Sequence, residues 1–323
     1  MISLIYSTNR ENPCFGWFVD SLYNQTSPSD RDNIELIFID YDYDNHKEQV
    51  EQLTNGKGFA GVIHSQPKPN IYQGSERKTT GEYFSPANAR NTGIILSSGE
   101  YIVFADDVSV LMPGWFSCVQ QAADKKMIVC GAYKKQFEMV VENGVIVSSQ
   151  QNPMGIDSRW SIGKDRPVRI EGTQLFGCSF GIPAEDILNV NGFDEICDSI
   201  GGEDYQLGTR LAWSGKNLFY DRRMLTIESE ELHNQPYLMK REDRVLEQGA
   251  YMGRLNELGI THRAIKGNWD SSHMVLDILY GKKLKRTFVN YYDLRTDRLT
   301  KTFTPPPSED FHWFDKKPLA EML

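Results

Sequence analysis

The sequence predicts an α/β domain built on a mixed, mainly parallel sheet with helices on both faces, followed by a mainly helical C-terminal extension. Three observations carry this. Runs 2–6, 34–39, 101–105 and 127–133 are short, β-rich and almost continuously apolar, the pattern of strands covered on both faces. Segments of helical period alternate with them, as in βαβ units. Two of the runs stop in carboxylates, Asp40 and Asp106-Asp107, where ligands of open α/β sheets bind, outside the carboxyl ends of the strands.

After the first strand, Phe15, Phe18, Val19 and Leu22 fall at i, i+3, i+4 and i+7 and mark one face of a helix. Ser85 and Pro86 are an N-cap and a proline at the first helical position, opening a helix over 87–97 that Ser98-Gly99 stops. Pro113 is expected to open the next helix, with Phe116, Val119 and Ala123 on one side. From about residue 134 the pattern changes. Runs 137–141 and 145–147 flank Glu142-Asn143-Gly144, a hairpin whose Asn-Gly favours a primed turn. Residues 151–176 hold no strong period and read as a long loop. A strand over 177–183, a short helix over 184–190, a helix over 203–214 closed by Gly215, and strands at 217–221 and 225–228 complete the domain.

The division expected is a catalytic domain over 1–235, with a nucleotide-binding half (1–112) and an acceptor-binding half (113–235), then an extension over 236–323. In the extension, Val245, Met252, Leu255 and Leu258 suggest one helix and 274–280 a second, before a triple-proline loop and an aromatic tail. No chemistry is legible there.

Composition narrows the function. The chain is 40% hydrophobic and 24% charged, an ordinary globular balance, and its net charge of −9 disfavours a nucleic-acid binder that works by neutralising phosphates. An anionic ligand would need local help, such as a metal. The longest apolar stretches fall far short of the roughly 18–20 residues that span a bilayer, and the N-terminus lacks a signal-peptide pattern. A cytoplasmic protein is expected. The five cysteines are scattered, without close pairs for zinc or redox chemistry. The basic run 282–286 offers peripheral contact with an anionic membrane or a phosphorylated acceptor, although a solvated helix end explains it as well.

Two acidic pairs carry the chemistry. Asp106-Asp107, ending a buried strand, offers hard oxygen ligands to Mg²⁺ or Mn²⁺ where a diphosphate can complete the coordination. Glu203-Asp204 follows Gly201-Gly202 at a helix start, and a carboxylate there can act as a general base. The helix dipole lowers its pKa, and apolar surroundings are needed to raise its basicity. Taken singly, each pair also suits a solvated turn or a helix cap.

Together the motifs say more. The stretch SPANARNTGIILSSGEYIVFADD followed by PGW resembles the nucleotide-binding half of inverting family 2 glycosyltransferases of GT-A fold. NGFDE, then GGEDYQLGTRL, resembles their acceptor half, in its galactosyltransferase-like form. The resemblance covers about residues 1–235 and implies a metal-dependent transferase that moves a sugar from a nucleotide diphosphate donor, a UDP-sugar, to an acceptor hydroxyl with inversion. It places Asp40 on the nucleoside, with Thr8 and Arg10 lining the same pocket, and Arg90 on the nucleotide and its phosphates. The family's spaced acid pair is replaced here by adjacent aspartates. Against the family's Asn-Asp-Asp variant, Asp107 falls at the metal-ligand position and Asp106 at a ribose contact, within a register open by one residue because the spacing to Pro113 is one residue longer than the family's. Asp204 matches the general base and Glu203 supports it. His233 sits where relatives place a histidine near metal and diphosphate; a satisfied surface or core histidine is the competing reading. The relatives' tryptophan loop reads Cys197-Asp198-Ser199-Ile200 here, which leaves Trp160 and Trp213 as substitutes for acceptor stacking. The competing functions are a non-catalytic sugar- or nucleotide-binding protein of the same fold and a sugar nucleotidylyltransferase. The latter lacks its glycine-rich loop after the first strand, and a P-loop enzyme lacks its Gly-x-x-x-x-Gly-Lys.

Overall fold

A computed structural model of the chain describes residues 1–68, 70, 84–193, 195, 203–235 and 293–303. Ten strands form one sheet. Its first part, in the order β3 (Gly61–Ser65), β2 (Ile34–Asp40), β1 (Ile2–Thr8), β4 (Tyr101–Asp106), is parallel. The second part continues through β9 (Ser179–Pro183), β6 (Ile128–Glu142), β10 (Leu218–Ser229) and β5 (Ser109–Leu111), with β7 (Val145–Ile156) on β6 and β8 (Val168–Ile170) on β10. Here most pairings are antiparallel, β6 with β10 excepted.

The apolar runs are buried on both faces because successive side chains feed two separate cores. Ile5, Ile37, Ile39, Ile102 and Phe104 pack under α4 (Pro86–Leu96), α6 (Ala184–Asn189) and α7 (Glu203–Trp213). Leu4, Tyr6, Leu36, Phe38 and Val103 pack under α1 (Phe15–Tyr23), α3 (Tyr43–Thr54) and α5 (Trp115–Asp124). The period of two along a strand thus sorts one sequence into two layers.

Local signals are met where the chemistry is local. The Ser85 hydroxyl accepts from the Asn88 N–H and Pro86 opens α4. Asn143 and Gly144 both adopt positive φ, 48° and 74°, as a primed turn requires. Three expectations are corrected. The helix expected from Pro113 begins at Trp115, because Gly114 at φ 92° turns the chain first. Residues 151–156 are strand, not loop, since β7 follows β6 for its full length. The two last strands are one, β10, interrupted by a bulge between Asp221 and Leu225. Helix α2 (Pro28–Arg31), α3, β3, β5 and β8 had no counterpart in the sequence reading.

Two short helices complete the fold, α8 (Glu230–His233) and α9 (Leu294–Thr300). The second belongs to the extension yet packs into the core: Leu294 is fully buried in the layer under α4. Arg298 Nε donates to the Ser97 carbonyl (3.1 Å) and Lys301 Nζ to that of Leu96 (3.0 Å), so two cations close the carboxyl end of α4. The helices expected near 245–258 and 274–280, the basic run and the proline-aromatic tail lie outside the described residues. Among the described residues no helix is long and apolar enough to cross a membrane.

Candidate active site

The site forms where the carboxyl ends of the parallel strands meet the amino end of α7. Register places Thr8 beside Asp40 and Ser7 beside Asp106, so the donor-side candidates share one edge of the sheet. A cleft of about 390 Å³ opens there, lined by Arg10, Arg90, Asp106, Asp107, Glu203, Asp204, Glu228 and His233 among others. A larger open depression, about 830 Å³, lies at the opposite strand ends between Met1, Glu100 and Arg298 and holds none of the candidate residues.

Each acidic pair divides its labour. Arg90, buried on α4, donates from Nη1 to Glu203 (2.7 Å) and from Nη2 to Asp106 (2.9 Å), bridging the two pairs. Gly177 lets the guanidinium fit: a Cβ there would stand 2.6 Å from Arg90 Nη2. Asp107 is held separately. Thr8 Oγ1 and Arg10 Nε both donate to its Oδ2 at 2.8 Å, so Oδ1 carries none of its hydrogen bonds to described residues. Arg10 continues to the carbonyls of Leu232 (2.5 Å) and His233 (3.4 Å), tying the β1 end to α8. Val108, next in the chain, adopts φ 51°, a strained value for a β-branched residue directly beside the acid pair.

Asp204 is held by backbone. Gly177 N–H donates to Oδ2 (2.8 Å) and Tyr205 N–H to Oδ1 (2.6 Å). Burial raises its pKa, against the pull of Arg90 and of these two N–H groups. Burial thus outweighs the groups that favour its charged form. Burial, then the Asp204 charge, also raises Glu203 against Arg90.

The sequence missed Glu228. It lies at the carboxyl end of β10, one residue before its last, inside the cleft and 4% exposed, and burial together with the Asp106 charge pushes its carboxyl up to about 8, with Lys135 opposing. The rule that picked Asp40 and Asp106, an acid at a strand's carboxyl end, applies equally to Glu228. His233 lines the cleft with its Nδ1 4.0 Å from Glu228 Oε2.

Asp40 stands apart. It is fully buried and absent from the cleft lining, and its Oδ2 faces His46 Nδ1 (2.8 Å) and His64 Nε2 (3.1 Å). Neither histidine had a sequence context, because only the β2–β3 pairing and the turn into α3 bring them to Asp40. Gly201-Gly202 and the 197–200 loop lie outside the described residues.

The donor set suits a hard divalent cation. Asp106, Asp107 and Glu228 are crowded into one cleft: burial raises the pKa of Asp107 against Arg10 and Thr8, with the Asp106 charge adding to the rise, and burial and then the Asp106 charge raise that of Glu228. A cation relieves that crowding. Among the described residues no three acidic, histidine or cysteine side chains converge to hold a metal alone.

The sequence profile described as Glycosyl transferase family 2 matches residues 3–181, more than half of the chain. The chain belongs to glycosyl transferase family 2. Solved structures of low identity resemble the chain. GalNAc-T7 with UDP, GalNAc and Mn²⁺ superposes with a TM-score of 0.53 at 15% identity, over 79% of this chain and 48% of that one. S. aureus TarS 1-349 in complex with UDP gives 0.48 at 15% identity, over 71% and 60%. Mannosyltransferase PcManGT from Pyrobaculum calidifontis, in complex with GDP-Man and Mn²⁺, gives 0.46 at 18%, over 70% and 56%. The chain therefore spans about 60% of the TarS chain and about half of GalNAc-T7. The comparison with curated proteins returned no match. The mixed sheet with its parallel first part, covered on both faces, is the GT-A fold of this family.

Proposed function

We propose that this family 2 enzyme is an inverting, metal-dependent transferase that moves a sugar from a UDP-sugar to an acceptor hydroxyl. The observation that carries the reading is the single cleft in which Asp107, just after β4, and Asp204, from α7, both appear although they lie far apart in sequence. The Mn²⁺ and UDP of GalNAc-T7, a protein of the same fold, are consistent with it. Residues 1–112 form the donor half and 113–235 the acceptor half in this reading, with 236–323 as an extension.

Asp204 accepts the proton of the acceptor hydroxyl as that oxygen bonds to the anomeric carbon. The bond to the diphosphate breaks on the opposite face, the electron pair leaves with the diphosphate, and the configuration inverts. Burial raises the basicity of Asp204 for this task, and the Gly177 and Tyr205 N–H groups fix its oxygens. Glu203, bonded to Arg90, holds the start of α7 in place. Asp107 with His233, and Glu228 beside them, would hold Mn²⁺ or Mg²⁺, and a bound cation supplies charge stabilisation to the departing diphosphate. Thr8 and Arg10 orient Asp107 through its Oδ2. Asp106 takes the ribose and Asp40, held by His46 and His64, serves the nucleoside side of the donor site. Arg90 holds the acid pairs together and, as one of the cationic groups lining the cleft, faces the phosphates.

Calorimetry of UDP binding with and without Mn²⁺ tests the metal and donor assignments. Wild-type protein is expected to bind UDP more tightly with Mn²⁺, and Asp107→Ala to lose that difference. Equal affinities in the wild type would remove the metal from the reaction.

A further inference from the structure

One wall of the cleft is formed by neither acid pair. Residues 176–178 run between the pairs and are pinned to both: Gly177 N–H donates to Asp204 (2.8 Å), and the Cys178 carbonyl accepts from the Asp106 N–H (3.0 Å). Phe176 is thus fixed one residue from the group that holds Asp204. Its ring is half-buried and lines the cleft, with its centroid 6.5 Å from that of Tyr133, a second cleft-lining aromatic on β6, at an interplanar angle of 55°.

The ring is braced from beneath. The Arg159 guanidinium lies 4.1 Å from the Phe176 centroid and 4.5 Å from that of Tyr220. Arg159 is 3% exposed and bonded to Asp157, to the Gly131 carbonyl and to the Gln174 carbonyl. A cation locked this way keeps the aromatic ring from sinking into the fold. Tyr133 adds a polar tip, for its hydroxyl has no hydrogen-bond partner among the described residues.

Trp160, a candidate for stacking in the sequence reading, is placed elsewhere. Lys134 lies 4.0 Å and Arg222 4.6 Å from its ring, and it is absent from the cleft lining. The side chain of Trp213 lies outside the described residues.

We propose that Phe176 and Tyr133 form the platform on which the ring of a pyranoside acceptor rests while its hydroxyl meets Asp204. The proposal rests on the transferase reading and adds to it the acceptor class, a carbohydrate. An aromatic face packs against the C–H face of a pyranose, and a phenol beside it hydrogen-bonds a ring hydroxyl; pockets for such ligands combine apolar walls with a few placed polar groups.

The test is NMR titration, in the presence of UDP and Mn²⁺, of four probes: the methyl pyranosides of glucose, galactose, mannose and N-acetylglucosamine. At least one probe is expected to bind wild-type protein. Phe176→Ala is expected to weaken it by about tenfold, and Phe176→Leu, which keeps an apolar side chain and guards against a folding defect, by a similar factor. Phe176→Trp is expected to restore binding, and Tyr133→Phe to weaken it less than the alanine variant does. Unchanged probe affinity in both Phe176→Ala and Phe176→Leu overturns the platform. Wild-type protein that binds UDP but none of the four probes overturns the platform and leaves the transferase reading standing. Wild-type protein that fails to bind UDP overturns both.

Discussion

The two acidic pairs of this glycosyltransferase look alike in sequence and are treated differently by the fold. In each, one carboxylate goes to Arg90: Asp106 from the end of β4, Glu203 from the start of α7. The partners left over are held by unlike means. Among the described residues, Asp107 hydrogen-bonds to a cation and a hydroxyl, Arg10 and Thr8, whereas Asp204 hydrogen-bonds only to backbone N–H groups. Burial raises the pKa of both. At Asp107 the adjoining guanidinium and hydroxyl oppose the rise and direct one oxygen, as suits an orienting or metal-binding group. At Asp204 the opposition comes from the Arg90 charge and two N–H dipoles, and the carboxylate retains the basicity that a proton acceptor needs.

The largest expected effect breaks this contrast on the acceptor side. Asp204→Asn keeps a similar shape but removes the base, and sugar transfer is expected to fall by about 10²–10⁴-fold while UDP binding persists. Turnover near the wild-type rate, measured as UDP released with acceptor present, would refute the assignment. The next tests the bridge that makes the two pairs comparable. Arg90→Gln leaves Glu203 buried without its cation and Asp106 without its partner, and loss of one member of a buried ion pair destabilises by about 3–5 kcal/mol. Thermal unfolding reads this directly, and a melting temperature within a degree or so of wild type would mean that Arg90 is not the bridge.

The smallest effect sharpens the donor side. The Glu228 carboxyl is pushed up to about 8, above the ordinary glutamate value of 4.5. Between those values the folded state binds more protons than the unfolded state, so this group makes stability fall as pH rises from about 4.5 to 8. Glu228→Gln removes that slope. In metal-free buffer its melting temperature is expected to match wild type near pH 4.5 and to exceed it by a few degrees above pH 8. An unchanged difference across the range would show that Glu228 carries no burial penalty.

Much of the fold was legible because its signals are local. The continuous apolar runs became two-sided strands, Ser85-Pro86 capped α4, and Asn143-Gly144 made its turn, since each depends on neighbours within a few residues. The hairpin strand read at 145–147 runs on to Ile156 as β7, and its continuation was missed because its polar, largely exposed side chains show no alternation and only pairing with β6 holds it extended. Glu228 was missed although its position at a strand end carried the same signal as Asp40. Nothing local marked Leu294, Arg298 or Lys301, which dock on α4 from about 200 residues away in sequence.

By itself, then, the sequence determined which segments pair into strands and helices, which carboxylates stand at their ends, and to which family the motifs belong, because these follow from periodicity and short-range chemistry. Tertiary structure alone decided which acid each arginine would take, that Asp40 would face two histidines, and that Phe176 rather than Trp160 would reach the cleft. Those choices depend on distances between side chains that the chain brings together only after the sheet has formed.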